Sequence, residues 1–159
     1  MIIRYNKRFI SLLNKKGVTN DQEIVSFAAN NTAQCKAVDF ILAQRILVID
    51  DCFFFDKYKP FGYSDVFMDK TGNEMFHNKI HISDFETSKK PIELFYCGLT
   101  AAFTLSVKLQ TLNQGFFSTI LSYNNMQCTL GFHKVRIGEE WLAKDLEGYT
   151  LEAVLQIID

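Results

Sequence analysis

The chain has 159 residues, of which 48% are apolar and 22% charged, and its formal net charge is −1. This composition is typical of a folded globular domain and excludes a disordered or fibrous chain. A charge so close to zero also argues against general nucleic-acid binding, which needs a basic face to displace phosphate counterions. The length predicts a single domain over residues 1–159.

Three short helices are predicted in the first part of the chain. The first covers residues 3–16 and presents its apolar side chains on one side. The second is capped by Thr19 or Asn20 and carries acidic residues in its first turn, where they suit the helix dipole. The third is capped by Thr32.

The next part of the chain changes to a strand-forming pattern. Ile46–Ile49 is a continuous apolar run, followed by Asp50 and Asp51. We expect one long strand here, or a strand that is broken at the two acids. Ser64–Asp69 and Asn73–Ile82 are predicted to pair as a hairpin, because the glycine between them suits a tight turn.

The stretch from Phe95 to Phe132 is predicted to form the centre of a sheet. Apolar residues alternate with small or polar ones over residues 95–110, which predicts a long strand. A hairpin then turns at Asn124-Asn125 and opposes Leu121 with Cys128. One face of this hairpin is apolar. Its other face carries Ser118, Ser122, Gln127, Thr129 and His133.

Apolar residues occupy every second position from Leu151 to Ile157, so this last segment is expected to form a strand. Helices followed by strands predict an α+β fold. In this fold the N-terminal helices, residues 1–44, pack on the apolar face of a mostly antiparallel sheet formed by residues 45–159.

The cysteines indicate the compartment. Their spacing forms no Cys-x-x-Cys pair, so zinc-ribbon and thioredoxin motifs are absent from the sequence. The start of the chain has no signal-peptide pattern, and no window is long and apolar enough to predict a membrane span. We therefore expect a cytoplasmic protein with four buried free thiols. They are Cys35, Cys52, Cys97 and Cys128.

Motifs for chemistry are absent from the sequence. His77 and His81 have a metal-binding spacing on a helix, but on the predicted strand they lie about 13 Å apart. The P-loop, the Gly-x-Ser-x-Gly motif and the dinucleotide glycine motif are missing. We expect no enzymatic activity, no catalytic residue, no cofactor and no metal. The alternative is a small enzyme or ligand-binding domain with a pocket near Asp50, Asp51 and Cys52.

Two surfaces are candidates for binding a protein partner. Four acidic residues surround a tryptophan near the C-terminus, and the last 21 residues carry six acids against one lysine. They form either a solvated face or an acidic patch that meets a basic partner. A second stretch, residues 53–63, is dense in aromatic rings that either the helices cover or a partner contacts. The candidate residues are Glu139, Glu140, Trp141, Asp145, Glu147, Tyr58, Phe61 and Tyr63.

The segment Gly138–Asp159 combines Trp141, an acidic loop and a terminal strand. In this respect it resembles the C-terminal ends of small bacterial immunity proteins that accompany contact-dependent inhibition toxins and related polymorphic toxins. The resemblance implies a cytoplasmic protein that binds one cognate toxin domain and blocks the toxin's active site. Such a protein catalyses no reaction itself. Many such toxins are basic nucleases, for which an acidic inhibitor surface is complementary in charge.

Overall fold

A computed structural model of the chain describes residues 1–31, 35–58, 67, 69–87 and 89–159. These residues form an α+β fold. The helices are α1 (Lys7–Asn14), α2 (Asp21–Asn30), α3 (Lys36–Ala43), α4 (Lys70–His77) and α5 (Pro91–Gln110). The strands are β1 (Ile2–Tyr5), β2 (Ile46–Ile49), β3 (Cys52–Phe55), β4 (Ile80–His81), β5 (Phe117–Tyr123), β6 (Cys128–Lys134) and β7 (Ala153–Ile158).

The main sheet has five strands in the order β1-β7-β5-β6-β4, and every neighbouring pair is antiparallel. Helix α5 packs on one face of this sheet, and α2 and α3 pack on α5. Strands β2 and β3 form a separate hairpin. The α+β prediction is confirmed. Its division into a helical part and a sheet part is wrong, because β1 begins the chain and α5 lies in its second half.

Helix α5 replaces the long strand predicted over residues 95–110. The alternating pattern is misleading because α5 contacts the sheet on one side and α2 and α3 on the other. Small residues between the large ones, such as Gly98 and Ala102, are therefore buried as well. Among the described residues, α5 is the one helix long and apolar enough to cross a membrane, and 61% of that window is buried inside the fold.

The start of α5 carries a helix signal that the alternation obscured. Pro91 occupies the first helical position, where a missing N–H costs nothing. The carboxylate of Glu93 accepts a hydrogen bond from the backbone N–H of Lys90 at 2.8 Å. This is the return bond of a capping box.

The hairpin predicted over residues 64–82 is also wrong where the structure describes it. Asp69 caps α4 by accepting a hydrogen bond from the Gly72 N–H at 2.6 Å, so the glycine lies in a first helical turn. Within the described part of this segment, only Ile80–His81 forms a strand, which pairs with β6. Residues 64–66 and 68 lie outside the described residues.

Of the helix starts predicted in the first 44 residues, one is confirmed, one is corrected and one lies outside the described residues. Residues 2–5 pair with β7, so the first helix begins only after Asn6, which caps it. Asn20 caps α2 as predicted, accepting a hydrogen bond from the Glu23 N–H at 3.0 Å. The predicted cap Thr32 lies outside the described residues, and α3 begins after Cys35.

The hairpin turn predicted between β5 and β6 is present, but the predicted pairing needs a correction. The β5–β6 hairpin pairs Leu121 with Leu130 rather than Cys128, because its turn spans four residues, 124–127. A two-residue shift keeps every side chain on its predicted face. The strand predicted from Ile46 onward is broken at Asp50 and Asp51, which confirms the second of the two alternatives given for it. Asp50 and Asp51 have φ of 52° and 61°, as a tight hairpin turn requires.

The cysteine prediction holds for two residues and fails for two. Cys52 and Cys128 are free and buried. Cys35 and Cys97 form a disulfide that joins the start of α3 to α5. Nothing in their sequence spacing, 62 residues, indicated that the two would meet.

Candidate functional site

The face of the main sheet opposite α5, here called the outer face, carries the side chains predicted for the polar side of the hairpin. Ser118, Ser122, Thr129 and His133 lie on it because they alternate with the core residues of β5 and β6. Residues 135–152 connect β6 to β7 and cross this face; we call them the cover loop. The predicted residues Glu139, Glu140, Trp141, Asp145 and Glu147 all belong to the cover loop.

Two cavities lie between the outer face and the cover loop, and Trp141 and Leu142 line both. The first has a volume of about 320 Å³ and is lined by Met75, Ser122 and Glu152, among others. The second, which we call the His133 cavity, measures about 510 Å³. Trp141 therefore sits over the outer face, where it separates two recesses.

The cover loop is fixed to the first strand and its cap. Arg4 donates hydrogen bonds from its guanidinium to the carbonyls of Ala143 and Lys144. The Asn6 side-chain amide donates to the carbonyls of Tyr149, at 3.0 Å, and Glu152, at 2.7 Å. These contacts join segments about 140 positions apart in the chain, so the loop has a defined position over the sheet.

Three of the loop's acids serve the fold. Glu139 accepts a hydrogen bond from the Thr71 N–H at 2.9 Å, in the first turn of α4. Glu147 accepts one from the Lys7 N–H at 3.0 Å, where α1 begins. Asp145 accepts one from the N–H of Glu147 at 2.9 Å. Carboxylates at helix N-termini are stabilised by the dipole, so these acids are structural as well as negatively charged.

Glu140 and Trp141 remain available at the surface. The Glu140 carboxylate is exposed and lies 3.9 Å from the Lys144 ammonium, which is itself 88% exposed. Such a pair contributes little to stability. Trp141 is 48% exposed, an unusual state for so large an apolar side chain.

Trp141 belongs to a cluster of exposed apolar side chains that sequence reasoning missed. We call Phe116, Val135, Ile137 and Trp141 the apolar patch. All four line the His133 cavity, and their exposed fractions are 68%, 40%, 106% and 48%. Ile137 occupies a turn in which Gly138 has φ of +82°, a conformation that favours glycine. The chain thus turns so that an isoleucine faces solvent.

His133 forms a polar floor for the same cavity. Its Nδ1 donates to the Lys134 carbonyl at 2.9 Å, while its Nε2 is buried and has no hydrogen-bond partner within the described chain. Burial lowers the pKa of His133, partly offset by the bond to the Lys134 carbonyl and by Glu74. The ring is therefore neutral at pH 7 and presents Nε2 as a hydrogen-bond acceptor.

A short ladder of polar side chains lies beside this histidine. Arg4 donates to the Gln156 side-chain oxygen at 2.7 Å. Gln156 in turn donates from its amide nitrogen to the Ser118 hydroxyl oxygen at 2.9 Å. Ser118 and His133 are direct partners across β5 and β6. The ladder satisfies the buried polar groups next to His133 but leaves Nε2 unsatisfied.

The described part of the aromatic stretch, residues 53–58, lines neither of these cavities. Tyr58 is partly buried, with its ring 5.9 Å from that of Phe40 on α3, and the Lys57 ammonium lies over both rings. Helix α3 therefore covers part of Tyr58, and its role as a contact residue stays a prediction. Phe61 and Tyr63 lie outside the described residues.

The pocket predicted at Asp50, Asp51 and Cys52 is not supported. Both acids form the β2–β3 turn, and Asp51 pairs with the ammonium groups of Lys134, at 3.0 Å, and Lys70, at 3.3 Å. Hydrogen bonds from these two lysines lower the pKa of Asp51. Burial raises the pKa of the Cys52 thiol, which disfavours a reactive thiolate. The cavities described above are lined by other residues.

A buried ion pair lies next to this turn. Glu74 is fully buried and receives both guanidinium nitrogens of Arg136, at 2.8 and 2.9 Å. The Glu74 carboxylate also accepts hydrogen bonds from the backbone N–H groups of Phe53, at 2.7 Å, and Lys134, at 2.8 Å. One carboxylate thus connects α4, β3, β6 and the start of the cover loop.

Comparison with known proteins places the chain in a family. Neither a curated protein nor a solved structure matches it. A family model, described as "Uncharacterized protein PM0498 family", matches residues 5–158. Because the match covers nearly the whole chain, the protein belongs to the PM0498 family.

Proposed function

We propose that this protein acts by binding a partner protein through the apolar patch, and that it is an immunity protein whose partner is a bacterial toxin domain. The observation that supports binding is the patch itself. It brings two exposed aromatic rings and two exposed aliphatic side chains together at one recess. Aromatic anchors beside a pocket, with charged residues at the rim, are typical of binding hot spots.

The cover loop supports the same proposal through its preorganisation. Arg4, Asn6 and the helix-capping acids hold it in one position before any partner arrives. A loop that is already ordered loses little conformational entropy when it binds, so more of the contact energy becomes affinity.

The choice of a toxin as partner comes from the resemblance of Gly138–Asp159 to immunity proteins, a segment that coincides with most of the cover loop and β7. Its six acids against one lysine favour a basic partner, such as a nuclease domain with a cleft for phosphates. The capping role of Glu139 and Glu147 does not remove their charge, so the segment still attracts cations at long range. In this proposal the protein works in the cytoplasm and catalyses nothing.

The test is binding to the toxin domain encoded beside this protein's gene, measured as surface-binding kinetics at two salt concentrations. Trp141→Ala should weaken binding by about 30-fold or more, as expected for a central aromatic anchor worth about 2 kcal/mol. Met126→Ala is the control, since Met126 is 86% exposed, does not line the His133 cavity, and lies at the β5–β6 turn, the end of the hairpin away from Phe116 and Val135. Higher salt should slow association.

Two results would count against the proposal. If Trp141→Ala and Met126→Ala bind equally well, the apolar patch is not the interface. If the neighbouring gene encodes no toxin domain, or one that the protein does not bind, the immunity role fails.

A second candidate function is binding of a small ligand in the His133 cavity, favoured by the unpartnered Nε2 of His133. A hydroxyl or N–H group of the ligand would satisfy this acceptor, while a flat apolar part would contact Trp141. Native mass spectrometry of the protein purified under mild conditions tests this candidate. A bound small molecule should be present on the wild type and lost from His133→Phe; an unliganded wild type opposes the candidate.

A further inference from the structure

Three metal-ligating side chains converge inside the helical layer, away from the cover loop. The Cys35 and Cys97 sulfurs and a Glu86 carboxylate oxygen all lie within 4.8 Å of one another, and every one of these residues is buried. We propose that, once the Cys35–Cys97 disulfide is reduced, these three side chains bind a zinc ion. The proposal is independent of the toxin-binding role.

One separation within the cluster, between the Cys97 sulfur and the Glu86 oxygen, agrees with zinc coordination; the two sulfurs, bonded to each other in the disulfide, move apart after reduction. With Zn–S near 2.3 Å and Zn–O near 2.1 Å, a tetrahedral site places sulfur and oxygen about 3.6 Å apart. The Cys97 sulfur and the Glu86 oxygen are 3.5 Å apart. Two thiolates and one carboxylate form a three-ligand set, which leaves the fourth position for water.

The surroundings of Glu86 hold its carboxylate beside the two sulfurs. The oxygen near the Cys97 sulfur accepts a hydrogen bond from the Lys36 N–H at the start of α3, and the Lys89 ammonium lies 3.8 Å from the other oxygen. A carboxylate oxygen has lone pairs for more than one partner, so the oxygen bonded to Lys36 can also bind a metal ion.

The net charge of the proposed zinc site is small. Two thiolates, one carboxylate and Zn²⁺ sum to one negative charge. The positive end of α3, which begins just after Cys35, and the Lys89 ammonium both stabilise that charge. A helix N-terminus also favours the thiolate form of a cysteine placed there.

The chemistry needs one reductant, a dithiol. The dithiol gives two electrons and two protons to the disulfide and becomes a disulfide itself, so Cys35 and Cys97 become thiols. Zinc then displaces the two thiol protons as the Zn–S bonds form. Oxidised protein should therefore bind no zinc at this cluster, and reduced protein should bind one ion.

The experiment uses the full chain, reduced with dithiothreitol, desalted without oxygen and titrated with zinc against a chromophoric chelator. Removing second-shell partners of a metal typically costs 10–100-fold in affinity, so losing a ligand should cost at least about that much. We expect such a loss for Cys35→Ser, Cys97→Ser and Glu86→Gln. Cys52→Ala is the control, because Cys52 lies outside the cluster.

A measurement on the wild type keeps the test decisive if a variant fails to fold. Zinc should protect Cys35 and Cys97 of reduced protein from alkylation by iodoacetamide, as located by peptide mass spectrometry, without changing the labelling of Cys52 and Cys128. Reduced wild type that binds no zinc would overturn the proposal. So would equal protection of all four cysteines, or zinc affinity that is unchanged in both cysteine variants.

Discussion

Gly98→Ala tests the contact between α5 and the sheet. A Cβ atom added to Gly98 would lie 2.5 Å from the Cys128 sulfur and 2.9 Å from Leu121 Cδ1, inside contact distance for both. In an exposed helix this substitution would stabilise by about 1 kcal/mol. Here overpacking costs about 1–3 kcal/mol, so we expect a net loss of up to about 2 kcal/mol.

A double-mutant cycle makes this prediction specific. Cys128→Ala removes the nearer of the two obstructing atoms, so the cost of Gly98→Ala should fall in that background, while the 2.9 Å contact preserves part of it. Urea unfolding of the four proteins measures the coupling. Gly148→Ala is the control, because no atom lies within 4 Å of its added Cβ. Equal costs of Gly98→Ala in both backgrounds would refute the proposed packing.

Two other predictions concern buried titratable side chains. Glu74→Gln should lower the free energy of unfolding by about 3–5 kcal/mol, because each carboxylate oxygen accepts two hydrogen bonds and the amide nitrogen would face two of these four donors. Urea unfolding measures the loss, with exposed Glu140→Gln as the control, and equal losses for the two variants would refute this prediction. His133 should make stability depend on pH. Its folded pKa lies below the unfolded value of about 6.5, so the unfolded state takes up the proton first and stability falls as pH drops below about 6.5. Thermal melts should show a smaller decline for His133→Gln; identical pH profiles would show that His133 does not contribute.

The β5–β6 hairpin and the capped start of α2 were accessible from sequence because their signals are local. Asn20 before two acids predicts a helix start, and the alternation of β5, β6 and β7 predicts strands with one buried face. Helix α5 was misassigned for the opposite reason. When a helix is buried on opposite sides, small and large residues are both enclosed, and the apolar period of 3.6 is lost.

The candidate site was only partly predictable. Trp141 stood out as a lone tryptophan among acids, and the structure shows it exposed. The roles of Glu139 and Glu147 depend on helices α4 and α1, which lie far away in the chain, so no local pattern could reveal them. Phe116 and Ile137 looked like ordinary residues near strands, and only the turn at Gly138 brings Ile137 to the surface.

We propose that the apolar patch binds and neutralises a toxin domain. The most direct test of this proposal is an inhibition titration of the neighbouring gene's toxin domain, with toxin activity measured against increasing amounts of wild type, Ile137→Asp and Met126→Asp. Both substitutions put a charge on a fully or largely exposed side chain, so both proteins should fold. We expect Met126→Asp to inhibit the toxin like the wild type and Ile137→Asp not to inhibit it. Full inhibition by folded Ile137→Asp would show that the apolar patch is not the interface.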